Sequence, residues 1–221
     1  MVVFLFAVSL IVPQAIAAEI ESTAPLPIRQ ITITFLVDHD WLEQSDAGLA
    51  QEFDELARFS TKVYEKEFGI VFAVGAVKIW EFSRGKAELN IDKALRDVTL
   101  VARTEPTDIT IGITNKIMFH CESAGKEDEN IFQSKLCPKG EIMRIYSGFA
   151  YINGNAAVVS ALRDVETNLI HEIAHLFGAI HTDEISVMQE RDSRTIIFDK
   201  KNHDIIMQNR MRVFERMFNL P

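Results

Sequence analysis

Three histidines and one glutamate in the last quarter of the chain have the types and spacing of a metal-dependent hydrolytic site. His171 and His175 are four residues apart, so on a helix they project from one face, one turn above the other. Gly178 can adopt the left-handed conformation that ends a helix, which lets the chain turn and return His181 as a third imidazole. Glu172 directly follows the first histidine. The segment HEIAHLFGAIH therefore predicts one metal ion held by three ring nitrogens.

The three-histidine set predicts one catalytic Zn²⁺ ion as the cofactor. Three protein ligands leave the fourth position open for water, whereas structural zinc sites are closed by four protein ligands. Neutral imidazoles leave the charge of the ion intact, so a bound water becomes acidic and a substrate carbonyl is polarised. Glu172 is placed to accept the proton of that water and pass it to the leaving amine. We therefore expect a zinc-dependent endopeptidase with Glu172 as the catalytic base and with three metal ligands, His171, His175 and His181.

The composition fits one globular domain and argues against a polyanionic partner. A chain of 221 residues, 48% of them hydrophobic, can bury a complete core. The net charge of -9 argues against a nucleic-acid partner, because binding the phosphate backbone needs clustered Lys and Arg. We expect a monomer.

Apolar patterning before the site predicts alternating strands and helices. Alternating apolar residues over 31–38 predict a buried strand, and apolar residues at helical spacing over 47–68, ending at Gly69, predict a long helix. The remaining expected elements are strands at 70–82 and 108–113 and helices at 91–101 and 203–218.

The chain just before the histidines predicts a hairpin and then a helix. Asn153-Gly154 separates two apolar runs, 148–152 and 156–161, and predicts a tight turn in which both central residues have positive φ. Asp164 follows as a candidate N-cap of the helix that carries the histidines.

Both cysteines, Cys121 and Cys137, fall in a polar segment, 120–141, that is predicted to be an insertion loop. A disulfide bond between them would close a loop of about fifteen residues and contribute about 3 kcal/mol of stability in an oxidising compartment. Two free thiols are the alternative. A zinc site on these cysteines is disfavoured, since neither has a Cys or His at the usual ligand spacing.

The N-terminus is typical of a signal peptide, because the apolar run 2–12 is followed by a proline and small alanines. The run is much shorter than the roughly 20 residues of a membrane-spanning helix. Cleavage after Ala17 satisfies an Ala-x-Ala pattern and gives a signal peptide at 1–17 and a leader at 18–30; cleavage after Ala18 is the near alternative. We expect a secreted or periplasmic protein with no membrane span after cleavage. A retained N-terminal anchor is the alternative, because no Lys or Arg precedes the run.

With its HExxHxxGxxH segment, the sequence resembles the metzincin clan of zinc metalloendopeptidases. The resemblance covers nearly all of residues 31–221. It implies an α/β (α+β) zincin fold with a mixed, mostly parallel sheet, an antiparallel edge strand and an active-site helix. The N-terminal subdomain would span 31–178, and the small C-terminal subdomain would span 179–221.

The same resemblance assigns roles to residues away from the histidines. Metzincins have a Met-turn after the third histidine, and here Met188 would form an apolar floor beneath the metal. An extended substrate would add to an exposed edge strand at the upper rim of the cleft by backbone pairing. That strand would consist of Gly148, Phe149, Ala150 and Tyr151.

Departures from the family pattern narrow the subfamily. Thr182 follows the third histidine, where matrixin-like members often carry Ser, so the chain resembles these most. Glu190 stands where astacin-like members have a tyrosine that can approach the zinc, so no tyrosine ligand is expected. Archaemetzincins surround the turn with cysteines that form a second zinc site; this chain has none there, and a second transition metal is not expected.

By resemblance, the segment after the Met-turn walls the specificity pocket. Here that segment is 191–198, and packing against the C-terminal helix is the alternative role for its apolar residues. The residues of this segment that suggest an apolar pocket are Ile196, Ile197 and Phe198.

Two tyrosines, Tyr146 and Tyr151, are the candidates for a further side chain that assists the reaction.

Two other functions are consistent with the same residues. A catalytically silent zinc-binding interaction protein would keep the fold and bind zinc without cleaving peptides. A hydrolase of a narrow cell-wall or small-peptide substrate would leave unfolded proteins intact. The sequence does not separate these functions, because substrate choice depends on the shape of the pocket.

Overall fold

A computed structural model describes residues 26–39, 48–123, 135–190 and 195–214. Within these ranges the chain forms eight strands and four α-helices. The strands are β1 (Arg29–Asp38), β2 (Ile70–Trp80), β3 (Glu88–Asn90), β4 (Ile109–Thr114), β5 (Ile117–Ser123), β6 (Glu141–Tyr146), β7 (Gly148–Ala150) and β8 (Ala156–Ser160). The helices are α1 (Leu49–Phe68), α2 (Ile91–Ala102), α3 (Val165–Leu176) and α4 (Lys200–Asn209).

The main sheet in this part of the chain has five strands in the order β2-β1-β4-β8-β7. β1 pairs in parallel with β2 and β4, β4 pairs in parallel with β8, and β7 pairs antiparallel with β8. Because a parallel sheet is covered on both faces, β1 buries Ile33 and Phe35 on one face and Leu36 on the other. The predicted mixed sheet with an antiparallel edge strand is confirmed.

Helices cover both faces of the main sheet. On one face, α1 contributes Phe53 and Tyr64 and α3 contributes Ile173 to a single apolar core. On the other face, α2 contributes Leu95 and Val98 to a second core. The helix that carries the histidines is therefore held against the sheet inside the molecule.

The segment predicted to be an insertion loop, 120–141, begins and ends in strands. β5 pairs antiparallel with β6 and parallel with β3, which gives a three-stranded sheet among the described residues. The loop prediction is wrong for 120–123, which belong to β5, because this small sheet is partly exposed and accommodates polar residues such as His120. Residues 135–140 lie outside strands and helices, as predicted, and β6 begins at the predicted boundary, Glu141. Cys121 of β5 forms a disulfide bond with Cys137, and their Cα atoms lie 5.6 Å apart. Residues 124–134 lie outside the described ranges.

The predicted hairpin of β7 and β8 is present, but its turn is longer than two residues. Ala150 pairs with Ala157, and of the two predicted turn residues only Asn153 has a positive φ, of 60°, whereas Gly154 does not. Asn153 N donates a hydrogen bond of 2.9 Å to His175 O. The turn is therefore set by its contact with α3.

Asp164 precedes α3 as predicted, but its carboxylate makes no capping hydrogen bond. Its backbone has φ 42° and ψ 47°, whereas a capping side chain requires an extended backbone. Asn168 of the second turn instead donates to Arg163 O at 2.8 Å. The position of the helix start is thus predicted from the sequence, and the capping interaction is not.

The C-terminal helix is shorter than predicted. Helical spacing extends over 203–218, but α4 ends at Asn209. Arg212 follows in a non-helical segment and donates a hydrogen bond to Leu176 O at the end of α3. This hydrogen bond pairs a carbonyl at the end of α3, and forming it competes with continuing α4 as a helix through Arg212. Residues 215–218 lie outside the described ranges.

None of the helices in the described ranges is both long and apolar enough to cross a membrane. Residues 1–25 are not described, so the signal peptide and its cleavage site stay predictions.

A buried charge pair joins the strand ends at the carboxyl edge of the main sheet. Asp38, at the end of β1, is fully buried and accepts hydrogen bonds from Ser83 Oγ at 3.0 Å and Thr114 Oγ1 at 2.6 Å. Lys116 Nζ, which is also buried, lies 3.3 Å from Asp38 Oδ1. The pair therefore links β1 to the connection between β4 and β5.

Asp38→Ala is expected to lower the free energy of unfolding by about 3–5 kcal/mol, because it leaves the buried Lys116 ammonium without its carboxylate. Urea denaturation followed by circular dichroism measures this loss. Asp54→Ala removes an exposed carboxylate that pairs with Arg58 on α1, and it serves as the control with little expected change. Equal losses in the two variants would contradict the structural role of Asp38.

Candidate metal centre

α3 and the turn after it bring three histidines together. His171 and His175 lie on successive turns of α3, and α3 ends at Leu176. Gly178 then has φ 94°, in the left-handed region, and a Cβ there would lie 2.9 Å from an oxygen of a neighbouring side chain. This reversal returns His181 to the helix, as the sequence predicts.

The three imidazoles converge through their Nε2 atoms. The distance from His175 Nε2 to His171 Nε2 is 3.0 Å, and His181 Nε2 lies 3.2 Å from each of the other two. Nitrogen ligands of a tetrahedral zinc ion, with metal–nitrogen distances of about 2.0–2.1 Å, are separated by roughly 3.3 Å. The three rings therefore form a group that could hold a metal ion.

Backbone carbonyls fix the orientation and the tautomer of two of these rings. His171 Nδ1 lies 2.6 Å from Val187 O, and His175 Nδ1 lies 2.8 Å from Ala179 O. A carbonyl oxygen only accepts hydrogen bonds, so each Nδ1 carries the proton and each Nε2 presents its lone pair. Sequence reasoning did not identify these carbonyls, because a backbone acceptor leaves no signal in residue type.

Burial keeps the same two rings neutral. It lowers the pKa of His171 to about 4 and, together with the neighbouring His171, lowers the pKa of His175 to about 4. Neutral imidazoles with their Nε2 lone pairs 3.0 Å apart repel each other unless a cation lies between them. The chemistry of the donor set thus fits a metal ion.

α4 positions the third histidine from behind. Asn202 is fully buried; its Oδ1 accepts from Ile180 N at 2.9 Å, and its Nδ2 donates to Ile180 O at 3.0 Å. Ile180 directly precedes His181, which is itself exposed. Asn202 therefore fixes the backbone from which the third imidazole projects, a role that the sequence analysis missed.

The predicted Met-turn residue lies in a tightly bonded turn. Met188 is fully buried in the core that contains α1 and α3, and its carbonyl accepts from Thr182 N at 3.1 Å. Ser186 Oγ accepts from Met188 N at 3.1 Å and donates to Asp199 Oδ2 at 2.8 Å. Asp199 caps α4, so one hydrogen-bonded unit joins the turn to that helix.

Glu172 is a buried carboxylate against the edge strand. Its side chain is 5% exposed, no described group donates to its Oε2, and burial raises its pKa well above the usual value. A Cβ on Gly148 of β7 would lie 2.4 Å from Glu172 Oε1. A larger residue at this position would force the Glu172 side chain to move, which gives Gly148 a further role that the sequence analysis did not assign.

A cleft of about 1510 Å³ opens at the histidines and Glu172. All of the predicted edge-strand residues line it: Gly148, Phe149, Ala150 and Tyr151. The first three form β7, which ends the main sheet in the described part of the chain, and Tyr151 follows β7 directly.

The predicted wall of the specificity pocket lies elsewhere. In the described part of the segment, Ile196, Ile197 and Phe198 line a separate cavity of about 330 Å³ against α1 and do not line the cleft at the histidines. The Phe198 ring packs against those of Tyr64 and Phe68, with centroids 5.7 and 5.2 Å away. The prediction of a pocket wall is wrong for these residues, because they pack against the aromatic side chains of α1 and not beside the metal centre.

The two candidate tyrosines are both in the cleft, but the Tyr146 hydroxyl is engaged. Tyr146 donates a hydrogen bond of 2.8 Å to Glu122 Oε1, and Arg144 Nε donates to the other oxygen at 2.6 Å. Burial, together with the bond to Glu122, raises the pKa of Tyr146 to about 12. The Tyr151 ring stacks edgewise on Phe149, with centroids 6.4 Å apart.

Comparison with known proteins identifies the fold. No protein-family model matches the sequence, and no curated protein matches it. Among solved structures, archaemetzincin from Methanopyrus kandleri is similar, with 18% identity, a TM-score of 0.55, and 83% of this chain and 97% of that chain covered. Archaemetzincin from Archaeoglobus fulgidus complexed with malonate has 19% identity, a TM-score of 0.48, and coverages of 80% and 99%. A chain in a chaperone–substrate complex has 9% identity, a TM-score of 0.51, and coverages of 82% and 34%.

The likeness to the Methanopyrus kandleri structure shows that the chain has a zincin-like α/β fold. Thr182 suggests that the chain is most similar to matrixin-like members, and this assignment stays a prediction. Both cysteines are joined in the disulfide bond. The expectation that there is no second transition metal stays a prediction.

His181→Ala is expected to abolish tight binding of one zinc ion per chain, because the two remaining imidazoles leave the ion without its third nitrogen ligand. Metal analysis after dialysis measures the bound zinc, and the melting temperature measures its effect on stability. His203→Ala removes a half-exposed histidine of α4 outside the group and is expected to retain the metal. Equal zinc retention in both variants would contradict the three-histidine site.

Asn202→Ala is expected to weaken zinc affinity by about 10–100-fold, because it releases the backbone that carries His181. Competition with a fluorescent chelator measures the affinity of the folded variant. Asn209→Ala is the matched control: Asn209 Nδ2 also donates to a backbone carbonyl, that of Phe177, from the same helix. A loss of zinc affinity no larger than that of Asn209→Ala would contradict the positioning role of Asn202.

Proposed function

We propose that the protein is a zinc-dependent endopeptidase. The observation that carries this proposal is the convergence of three Nε2 lone pairs, from His171, His175 and His181, in an open cleft beside the buried carboxylate of Glu172. The zincin-like fold supports it, since archaemetzincins of that fold are metallopeptidases. The substrates would be peptides or proteins.

The three histidines would hold the zinc ion. Zinc bound there supplies a Lewis acid that acidifies a water molecule and polarises the carbonyl of the scissile bond. His171 and His175 are preset for this role by their hydrogen bonds to Val187 O and Ala179 O, which also raise the basicity of the ligand nitrogens.

Glu172 would act as the general base. Its unpaired Oε2 can accept the proton of the attacking water and then deliver it to the leaving amine. Burial alone favours the protonated acid, but the positive charge of a nearby metal ion favours the carboxylate that this role requires. Gly148 keeps the space in which that carboxylate lies.

The edge strand β7 would bind the substrate backbone. Its outer side has no partner strand among the described residues, so an extended peptide can pair with it and lie across the cleft. Met188 would form the floor beneath the metal. The signal-like N-terminus supports a secreted or periplasmic location, which the disulfide bond between Cys121 and Cys137 also favours.

Cleavage of a mixed peptide library, with and without a metal chelator, tests the proposal. Wild type is expected to cut internal bonds only without chelator, and Glu172→Gln to cut them roughly 10²–10⁴-fold more slowly while retaining zinc. Glu166→Gln changes an exposed glutamate of the same helix and is the control with unchanged cleavage.

The outcomes separate the candidate functions. Identical cleavage by wild type and Glu172→Gln would overturn the catalytic proposal. Stoichiometric zinc without any cleavage would favour an interaction protein that retains the fold. Cleavage of small peptides with no action on unfolded proteins would favour a hydrolase of a narrow substrate.

A further inference from the structure

Three aromatic rings form a continuous surface along the rim of the cleft. The Phe149 ring lies 6.3 Å from that of Tyr146 and 6.4 Å from that of Tyr151, and both contacts are edge-to-face. All three residues line the cleft that contains the histidines. We call this group, Tyr146, Phe149 and Tyr151, the aromatic rim.

The aromatic rim lies on the opposite face of β7 from Glu172. Ala150 packs in the core with α3, and the Cα of Gly148 faces the Glu172 carboxylate. Side chains alternate between the two faces of a strand, so Phe149 points to the other face. Tyr146 and Tyr151 pack against the core of that other face.

A peptide that pairs with the edge of β7 would present every second side chain to the aromatic rim. The residue directly opposite Phe149 would have its Cβ about 4.5–5.5 Å from that of Phe149, on the same face. Pairing with this strand therefore reads side chains as well as the backbone. This differs from the sequence-based expectation, which assigned all side-chain selection to the segment after Met188.

Further apolar side chains are exposed in the cleft that contains the aromatic rim. Ile145 is 65% exposed, Ile152 is 51% exposed and Ile117 is 40% exposed, and all three line the same cleft. Exposed apolar side chains gathered in one concave surface are typical of a binding site.

Two of the charges beside the aromatic rim, those of Glu122 and Arg144, already neutralise each other, so they offer no partner to a charged side chain. Both carboxylate oxygens of Glu122 accept hydrogen bonds, one from Arg144 and one from the Tyr146 hydroxyl. These bonds also hold the Tyr146 ring in place against Phe149. The aromatic rim is thus a preformed apolar surface.

We propose that the aromatic rim of Tyr146, Phe149 and Tyr151 is a substrate subsite that selects a bulky aliphatic or aromatic side chain at one position of an extended peptide. This inference rests on the proposed peptidase function, because the peptide is taken to pair with β7 in the act of cleavage. The selected side chain lies on the face away from Glu172 and buries Phe149, which is 36% exposed in the free protein.

Cleavage rates on a decapeptide library, with Phe, Leu, Ala, Lys and Glu scanned at each position, test the subsite. Wild type is expected to prefer Phe or Leu over Ala at one position by about tenfold or more in kcat/KM. Phe149→Ala is expected to reduce that preference to near unity. Leu100→Ala removes a side chain of α2 that is 57% exposed and does not line the cleft, and it is expected to keep the preference.

Binding of the same peptides to the Glu172→Gln protein separates this inference from the peptidase proposal. Its calorimetric affinity is expected to be about tenfold higher for the Phe or Leu peptide than for the Ala peptide, and adding Phe149→Ala should remove the difference. Selective binding without cleavage by wild type would support the subsite and contradict the peptidase. A preference that survives Phe149→Ala, or a preference for charged side chains, would overturn the subsite.

Discussion

Two hydrogen bonds from imidazole to backbone determine what the centre of this protein can do. With each Nδ1 proton donated to a carbonyl, of Val187 for His171 and of Ala179 for His175, both Nε2 atoms present lone pairs to one point. Burial keeps the rings neutral, so no proton relieves the repulsion between these nitrogens. A metal ion does relieve it, and the returning His181 adds a third lone pair. The metal-binding geometry is therefore built from main-chain acceptors as much as from the histidines.

Those carbonyls are held by the short C-terminal part of the chain. Val187 N donates to Ile197 O at 2.7 Å, so the segment beside α1 helps to position the residue whose carbonyl orients His171. The bonds of Asn202 to Ile180 and of Asp199 to Ser186 tie the remaining turns to the N-terminus of α4. α4 has ten residues and one fully buried apolar side chain, that of Ile206. Polar contacts therefore contribute much to its position, and the same contacts order the metal ligands.

The sequence predicts the parts of the structure that depend on local periodicity. The long first helix, the central strands and the histidine helix with its glycine reversal follow from apolar spacing and from the φ that Gly178 adopts. Features decided by contacts between distant residues are not predicted. α4 stops early because Arg212 binds the end of α3, and residues 196–198 pack against the aromatic rings of α1. β5 likewise extends into the start of the polar stretch predicted to be a loop. The need for Gly148 beside Glu172 is likewise invisible until the two elements are packed together.

The tautomers of the two helix histidines test this account most directly. Long-range ¹H–¹⁵N NMR of the metal-free protein at neutral pH distinguishes protonated from unprotonated ring nitrogens for each histidine. The structure predicts neutral His171 and His175, both protonated at Nδ1 and unprotonated at Nε2. Observation of Nε2–H tautomers, or of imidazolium rings at neutral pH, would contradict it, because the nitrogens that meet at the centre would then have no lone pairs to bind a metal ion.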